Sequence, residues 1–267
     1  MARQLLDHGR QPGGMPPCDR GGGLAGPDIA YHPVTALIPD RPAAAYDRAM
    51  STPEDGPVRR ERLLLAGALA EAGPDAVTRC AGWDARDLAA HLVVREGRPD
   101  AAPGILLPPL EFYTERVRRR TARAVPFETL VERFRQGPPK FSPYALPGVD
   151  KIANGVEFFV HLEDIRRARP DWEPREISAE LEELLWRRIK IARFVLRKVH
   201  VEVTLVQPDG RSARVSGGGR RSRGAVRVHG PVGELVLWAL GRRDVAKVRL
   251  TGDTGAVKTL TEAGWSL

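Results

Sequence analysis

Two short segments carry residues that could form the two halves of one metal site. Residues 82–91 read Gly-Trp-Asp-Ala-Arg-Asp-Leu-Ala-Ala-His and end at His91, and residues 157–164 follow about sixty-five positions later. Glu157 and His161 are four residues apart in a helical context, so they share one helix face. Two imidazoles and one carboxylate are a common catalytic ligand set for zinc that leaves one position open. These residue types make His91, Glu157 and His161 candidate ligands of a divalent metal.

Asp164 is the candidate catalytic residue beside this ligand set. It lies three residues after His161 and seven after Glu157, on the same general face of the predicted helix. There it could orient a ligand imidazole through a hydrogen bond, or act as a general base. The alternative is an ordinary surface ion pair with Arg167, three residues further on.

Structural explanations compete with the metal hypothesis at each of these positions. A glutamate and a histidine at this spacing are common by chance, and a single histidine on a helix, such as His91, is usually structural or solvated. Trp83 fits a packing residue at a helix entrance better than a ligand contact. Cys80 fits a buried, small apolar residue better than a nucleophile.

The apolar periodicity predicts a mainly helical chain around the two segments. Asp84 can cap the helix that carries His91. Predicted helices cover, approximately, 58–72, 84–96, 110–124, 127–136, 149–169 and 178–198. A long loop, 137–148, precedes the helix with Glu157 and His161, and it could cover the open side of a metal site.

The pattern changes after residue 198. Alternating residues predict strands at 200–206, 212–216, 225–229 and 247–251, with helices at 231–240 and 254–262. We therefore expect a helical bundle over 57–198 and a small α+β domain over 199–267. Residues 1–49 lack a sustained period and are rich in glycine and proline, which predicts a disordered leader. Because Met50 resembles an ordinary protein start, the leader could be an over-extended gene start or a genuine flexible tail.

Composition limits the classes of function. Two cysteines far apart exclude a disulfide framework and a cysteine zinc site, and the chain has no apolar run long enough for a membrane span. These features favour the cytoplasm. The net charge is +8, but arginines alternate with glutamates on the predicted helices, as over 111–123 and 180–197. This pattern is typical of solvated faces, so we expect no specific nucleic-acid partner. Because no apolar run is long enough to span a bilayer, we also expect no membrane partner.

The two segments also resemble the signatures of a known family. Residues 80–91 and 156–164 are similar to those of the mycothiol-dependent maleylpyruvate isomerase family, an actinobacterial branch of the DinB-like metalloproteins. Residues 95–99 and 141–143 resemble an uncharacterised subgroup within it. The resemblance covers about 58–267. It implies a DinB-like four-helix bundle with a divalent metal, usually zinc, held by His91, Glu157 and His161. A histidine is expected directly after His161, where this chain has Leu162.

The resemblance implies a low-molecular-weight thiol, mycothiol, as cosubstrate. We therefore predict a metal- and thiol-dependent transferase or isomerase that acts on a small electrophile. A non-catalytic metal-binding protein, such as a sensor or binding module, is the alternative. A nucleic-acid binder, suggested by the charge, is the third hypothesis.

Overall fold

The described part of the chain before the sheet is helical, and the helix that carries His91 begins at its predicted cap. The computed structural model describes residues 56–98, 100, 111–146, 154–217 and 222–263, and the predicted leader lies outside this part of the chain. Its larger helices before the sheet are α1 (Pro57–Ala72), α2 (Ala85–Gly97), α3 (Glu111–Ala124), α4 (Phe127–Gln136), α5 (Gly155–Arg166) and α6 (Ala179–Arg188). Asp84 caps α2 as predicted, since its side chain accepts a hydrogen bond from the Asp87 backbone N–H at 2.8 Å.

The long helix predicted for 178–198 is not continuous. After α6 the chain forms a 3-10 turn at Ile189–Ile191, a short helix α7 at Ala192–Val195 and a second 3-10 turn at Leu196–Lys198. Three β-branched residues in this stretch lower its helix propensity. The irregular path keeps Ile189, Ala192 and Leu196 buried.

A small four-stranded sheet follows, as the alternating residues predicted. Its elements are β1 (Glu202–Val206), β2 (Ser212–Gly217), β3 (Ala225–His229), α8 (Val232–Ala239), β4 (Arg249–Gly252) and α9 (Thr254–Glu262). The strand order is β2-β1-β3-β4, with β1 and β3 parallel and the two outer pairings antiparallel. The described part of the chain is therefore mainly helical with a small mixed sheet, which confirms this coarse part of the predicted fold class.

Helix α5 contributes to two hydrophobic cores. In the first core, α1 packs on α4 and α5, and α2 packs on α3 and α4. Its large buried side chains include Leu65, Leu69, Leu88, Leu92, Leu130, Phe134 and Phe158. The second core joins the sheet to α6 and α8, and includes Phe159, Leu185, Leu196, Val203, Leu205, Val226 and Leu235. Because α5 is anchored on both sides, the side chains it carries have fixed positions.

No described helix has both the length and the apolar character needed to cross a bilayer.

Candidate metal centre

The structure brings the three predicted ligands together between α2 and α5. His91 Nε2 lies 3.0 Å from Glu157 Oε1, and His161 Nε2 lies 3.3 Å from the same oxygen. One donor atom from each residue falls within 4.8 Å of the other two. The imidazole rings of His91 and His161 meet edge to face at 5.3 Å. Three residues separated by as much as 70 positions in sequence therefore converge on one point.

The protonation of this group follows from its surroundings. Burial lowers the pKa of His91, although its bond to Glu157 opposes the shift. Burial also lowers the pKa of His161, but hydrogen bonds to Asp164, Cys80 and Glu157 outweigh it and hold that pKa well above the ordinary value. Burial raises the pKa of Glu157, yet the charge of Arg95 and the bonds from both histidines bring it well below the usual range. Glu157 is therefore a carboxylate, and His91 is neutral at physiological pH.

Asp164 fixes the orientation of the His161 ring. Its side chain is fully buried, and its Oδ2 accepts a hydrogen bond from His161 Nδ1 at 3.0 Å. Because the Nδ1 proton of His161 is donated to Asp164, the other ring nitrogen, Nε2, faces Glu157.

A second partner holds Asp164 from the opposite side. Arg242, in the turn after α8, donates from Nε to Oδ1 at 2.9 Å and from Nη2 to Oδ2 at 2.7 Å. Burial raises the pKa of Asp164, but the bonds from His161 and Arg242 outweigh it and hold that pKa well below its usual range. A carboxylate this acidic is a weak base, so the geometry favours orientation of His161 over general-base catalysis.

The alternative pairing of Asp164 with Arg167 is wrong. Arg167 points away from the site: its Nε donates to Glu163 at 2.6 Å and its Nη2 to Glu234 at 2.6 Å. All three of these side chains are buried, so this ion pair is not a surface pair either. It joins α5 to α8 instead.

Cys80 lies beside the same histidine. Its Sγ is 3.1 Å from Asp164 Oδ2 and 3.6 Å from His161 Nδ1, and the residue is half-buried. Cys80, His161 and Asp164 thus form a second group with donor atoms close enough to share an ion. The guanidinium of Arg242 already neutralises Asp164, which disfavours a cation at this position. The packing interpretation of Cys80 is therefore incomplete, because its thiol also contacts two polar side chains of the site.

The other wall of the site is built around Arg95 and Trp83. Arg95, one turn after His91 on α2, approaches Glu157 Oε1 with its Nε at 3.3 Å and lies 4.9 Å from the ring centre of Tyr144. Tyr144 belongs to the predicted loop, so the loop contacts Arg95 at this residue. Trp83 packs on the first core as predicted, and its ring also lies 5.0 Å from that of His91.

Glu157 and His91 form the open side of the centre. Their side chains are 27 % and 14 % exposed, whereas that of His161 is 10 % exposed and that of Asp164 is fully buried. A ligand from solvent would therefore approach past Glu157 and His91.

The sequence analysis did not assign Arg95 or Arg242 to the site. Arg95 could have been found, because it follows His91 by four residues and so shares its helix face. Arg242 carries no comparable signal, since it lies 78 residues after its partner Asp164 in an ordinary turn. The chain matches no protein-family model, no curated protein and no solved structure, and its family therefore stays a prediction.

Proposed function

We propose that this chain holds one divalent metal ion, most simply zinc, through His91, Glu157 and His161. We further propose that it uses the ion with a low-molecular-weight thiol to transfer that thiol to a small electrophile, or to isomerise the electrophile. The observation that carries the proposal is the convergence of two imidazole nitrogens on one carboxylate oxygen, at 3.0 Å and 3.3 Å.

The donor chemistry fits a divalent ion. Two imidazole nitrogens and one carboxylate oxygen are a ligand set that zinc and related ions accept. The bond from His161 Nδ1 to the buried carboxylate of Asp164 is the arrangement usually found behind a metal-ligating imidazole. The low pKa of Glu157 and the neutral state of His91 mean that both can offer a lone pair near neutral pH. His161, whose pKa is raised, would release the proton on Nε2 when an ion binds.

His91, Glu157 and His161 would hold a divalent ion with one position open, and the ion would there lower the pKa of a bound thiol to give a nucleophile at neutral pH. Asp164 keeps the His161 ring in one orientation. Arg95 restrains the Glu157 carboxylate, and its guanidinium packs on the ring of Tyr144. The electrophile would approach on the open side, past Glu157 and His91.

The family resemblance supports the identity of the thiol. Mycothiol and the DinB-like four-helix bundle both come from that resemblance and belong to this proposal. The packing of α1 on α4 and α5, and of α2 on α4, is compatible with such a bundle. The replacement of the expected histidine by Leu162 leaves the three donors intact, because Leu162 is buried in the first core.

A non-catalytic metal site is the second candidate. It is favoured by the burial of the donors, which leaves only Glu157 more than one-fifth exposed among them. A sensor or a structural site needs no larger opening.

The test is thiol activation by the zinc-loaded full chain. Titration of mycothiol by calorimetry should show binding, and the thiol should lose its proton at a lower pH in the complex. Conjugation of a small alkylating electrophile should depend on both zinc and thiol, and should be lost in His91→Ala with an unchanged circular dichroism spectrum. If the zinc-loaded protein neither binds the thiol nor shifts the pKa of the thiol, the enzymatic function is wrong and the non-catalytic metal site is favoured.

A further inference from the structure

The stretch between α6 and the sheet carries several positive charges and no negative one. Residues 187–198 contain six arginines and lysines and no aspartate or glutamate. We call this stretch the basic segment; its cations are Arg187, Arg188, Lys190, Arg193, Arg197 and Lys198. It supplies a large share of the excess that gives the chain its net charge of +8.

Five of the six cations of the basic segment have no acidic partner within the described part of the chain. There, only Arg187 has an acidic partner, Glu183 at 2.8 Å. The glutamates that the sequence analysis placed between these arginines lie at the start of α6 instead, one to two turns away. Arg223, an exposed residue whose backbone N–H bonds to the His200 carbonyl at 2.8 Å, adds a further cation at the end of the segment.

Two large apolar side chains project among these charges. Phe194 is 72 % exposed and Ile191 is 45 % exposed. The inward side of the same stretch packs in the second core, where Ile189, Ala192 and Leu196 are buried. The apolar residues on the outward side therefore have no role in packing the fold, and their exposure has a cost in water.

From these features we infer that the basic segment is a docking surface for an anionic lipid bilayer. Clusters of four to eight cations on an amphipathic stretch bind anionic headgroups, and a phenylalanine between them can enter the boundary between headgroups and acyl chains. The prediction of no membrane partner considered only membrane-spanning helices. Peripheral attachment needs no span, and the inference does not depend on the proposed metal chemistry.

Two observations favour a bilayer over other polyanions. Ile191 has no π-face on which a base could stack, and single-stranded nucleic-acid surfaces rely on stacking platforms. Lysine, present here at Lys190 and Lys198, is depleted in the centres of protein–protein interfaces. A fluid layer of lipid headgroups can accommodate both an exposed isoleucine and exposed lysines.

The experiment is co-sedimentation of the full chain with vesicles of equal parts phosphatidylglycerol and phosphatidylcholine, compared with vesicles of phosphatidylcholine alone. Binding should require the anionic lipid and should weaken as salt is added. Each cation near such a surface contributes about fivefold in affinity, so the triple variant Arg193→Gln, Arg197→Gln, Lys198→Gln should bind about 100-fold more weakly.

Matched variants separate this surface from general charge. The triple variant Arg116→Gln, Arg120→Gln, Arg123→Gln on α3 removes the same charge elsewhere and should keep most of the binding. Phe194→Ala should weaken binding about tenfold, whereas Phe141→Ala, which removes a 99 % exposed phenylalanine, should not.

Three results would overturn the inference. One is absence of binding to the anionic vesicles, and another is an equal loss in the two triple variants. The third is a combined result: the chain binds a single-stranded oligonucleotide more tightly than the vesicles, and Phe194→Ala does not change vesicle binding. That result would show that the basic segment binds nucleic acid.

Discussion

Asp164 on α5 is clamped by Arg242 from the turn after α8 through two hydrogen bonds of 2.9 Å and 2.7 Å. The same carboxylate accepts the Nδ1 proton of His161 at 3.0 Å. A residue near the end of the chain thus helps to hold a candidate metal ligand in the helical part. Arg79 extends this connection, because its backbone N–H bonds to the Asp164 carbonyl at 2.9 Å and its side chain pairs with Asp244.

Arg242→Gln should weaken zinc binding by about 10- to 100-fold, because partners behind a metal ligand typically contribute that much to affinity. Affinity can be measured by competition with a chromophoric chelator. Arg243→Gln is the matched control, since Arg243 donates to the carbonyls of Leu260 and Thr261 instead. Arg242→Lys should recover part of the loss. Equal zinc affinity in Arg242→Gln and the control would show that the clamp does not act on the metal site.

Asp164→Asn separates the two roles considered for this residue. If Asp164 orients His161, the substitution should lower zinc affinity about tenfold or more, because the neutral amide is a weaker acceptor for Nδ1–H and leaves Arg242 without its counter-charge. If Asp164 were only a general base, zinc affinity would stay the same and turnover alone would fall. The same chelator competition distinguishes these outcomes, with circular dichroism as the check on folding.

Cys80→Ser should retain one zinc per chain. The thiol lies on the Nδ1 side of His161, at 3.6 Å, whereas the nitrogen directed at Glu157 is Nε2. Elemental analysis after reconstitution measures the outcome. Loss of the metal in this variant would point to the alternative group of Cys80, His161 and Asp164 as the metal site.

Arg167→Met should destabilise the fold by about 3–5 kcal/mol, because it leaves Glu234 and part of Glu163 buried without their counter-charge. Chemical denaturation measures the change. Arg169→Met is the control, since Arg169 pairs with Glu71 at the surface, where such pairs contribute about 0–1 kcal/mol. A loss no larger than that of the control would mean that this buried pair does not join α5 to α8 energetically.

The ion pair between Arg167 and Glu163 should make the stability of the fold depend on pH. Burial raises the pKa of Glu163, but Arg166, Arg175 and Arg167 outweigh it, and the pKa lies below its ordinary value of 4.5. A lowered carboxyl pKa stabilises the folded state fully above about pH 4.5, and this stabilisation is lost as the pH falls through the folded-state value. The difference in stability between the wild type and Arg167→Met should therefore narrow in acid.

Local signals explain why much of the fold could be predicted. Asp84 marks the start of α2, and the alternation around Val203 and Leu205 marks a strand with one buried face. Two of the three candidate ligands could be predicted for a similar reason, because Glu157 and His161 share one helix face. His91 required the family resemblance or the structure, since nothing local relates α2 to α5.

The features that could not be predicted depend on packing between distant elements. Arg242 reaches Asp164 only because α8 packs in the second core together with α5. The break after Arg188 lies in a stretch whose β-branched residues, Ile189, Ile191 and Val195, lower the helix propensity. The exposure of Ile191 and Phe194 was hidden in a charge pattern that resembled an ordinary solvated helix.

The most direct test of the metal centre is the zinc content of the reconstituted full chain, measured by elemental analysis for the wild type and for His161→Ala. The wild type should hold one zinc per chain, and His161→Ala should hold far less, because two remaining donors rarely retain zinc tightly. His229→Ala is the control, since His229 bonds to Thr251 on the sheet and should leave the zinc content unchanged. A full equivalent of zinc in His161→Ala would contradict the assignment of His91, Glu157 and His161 as the metal ligands.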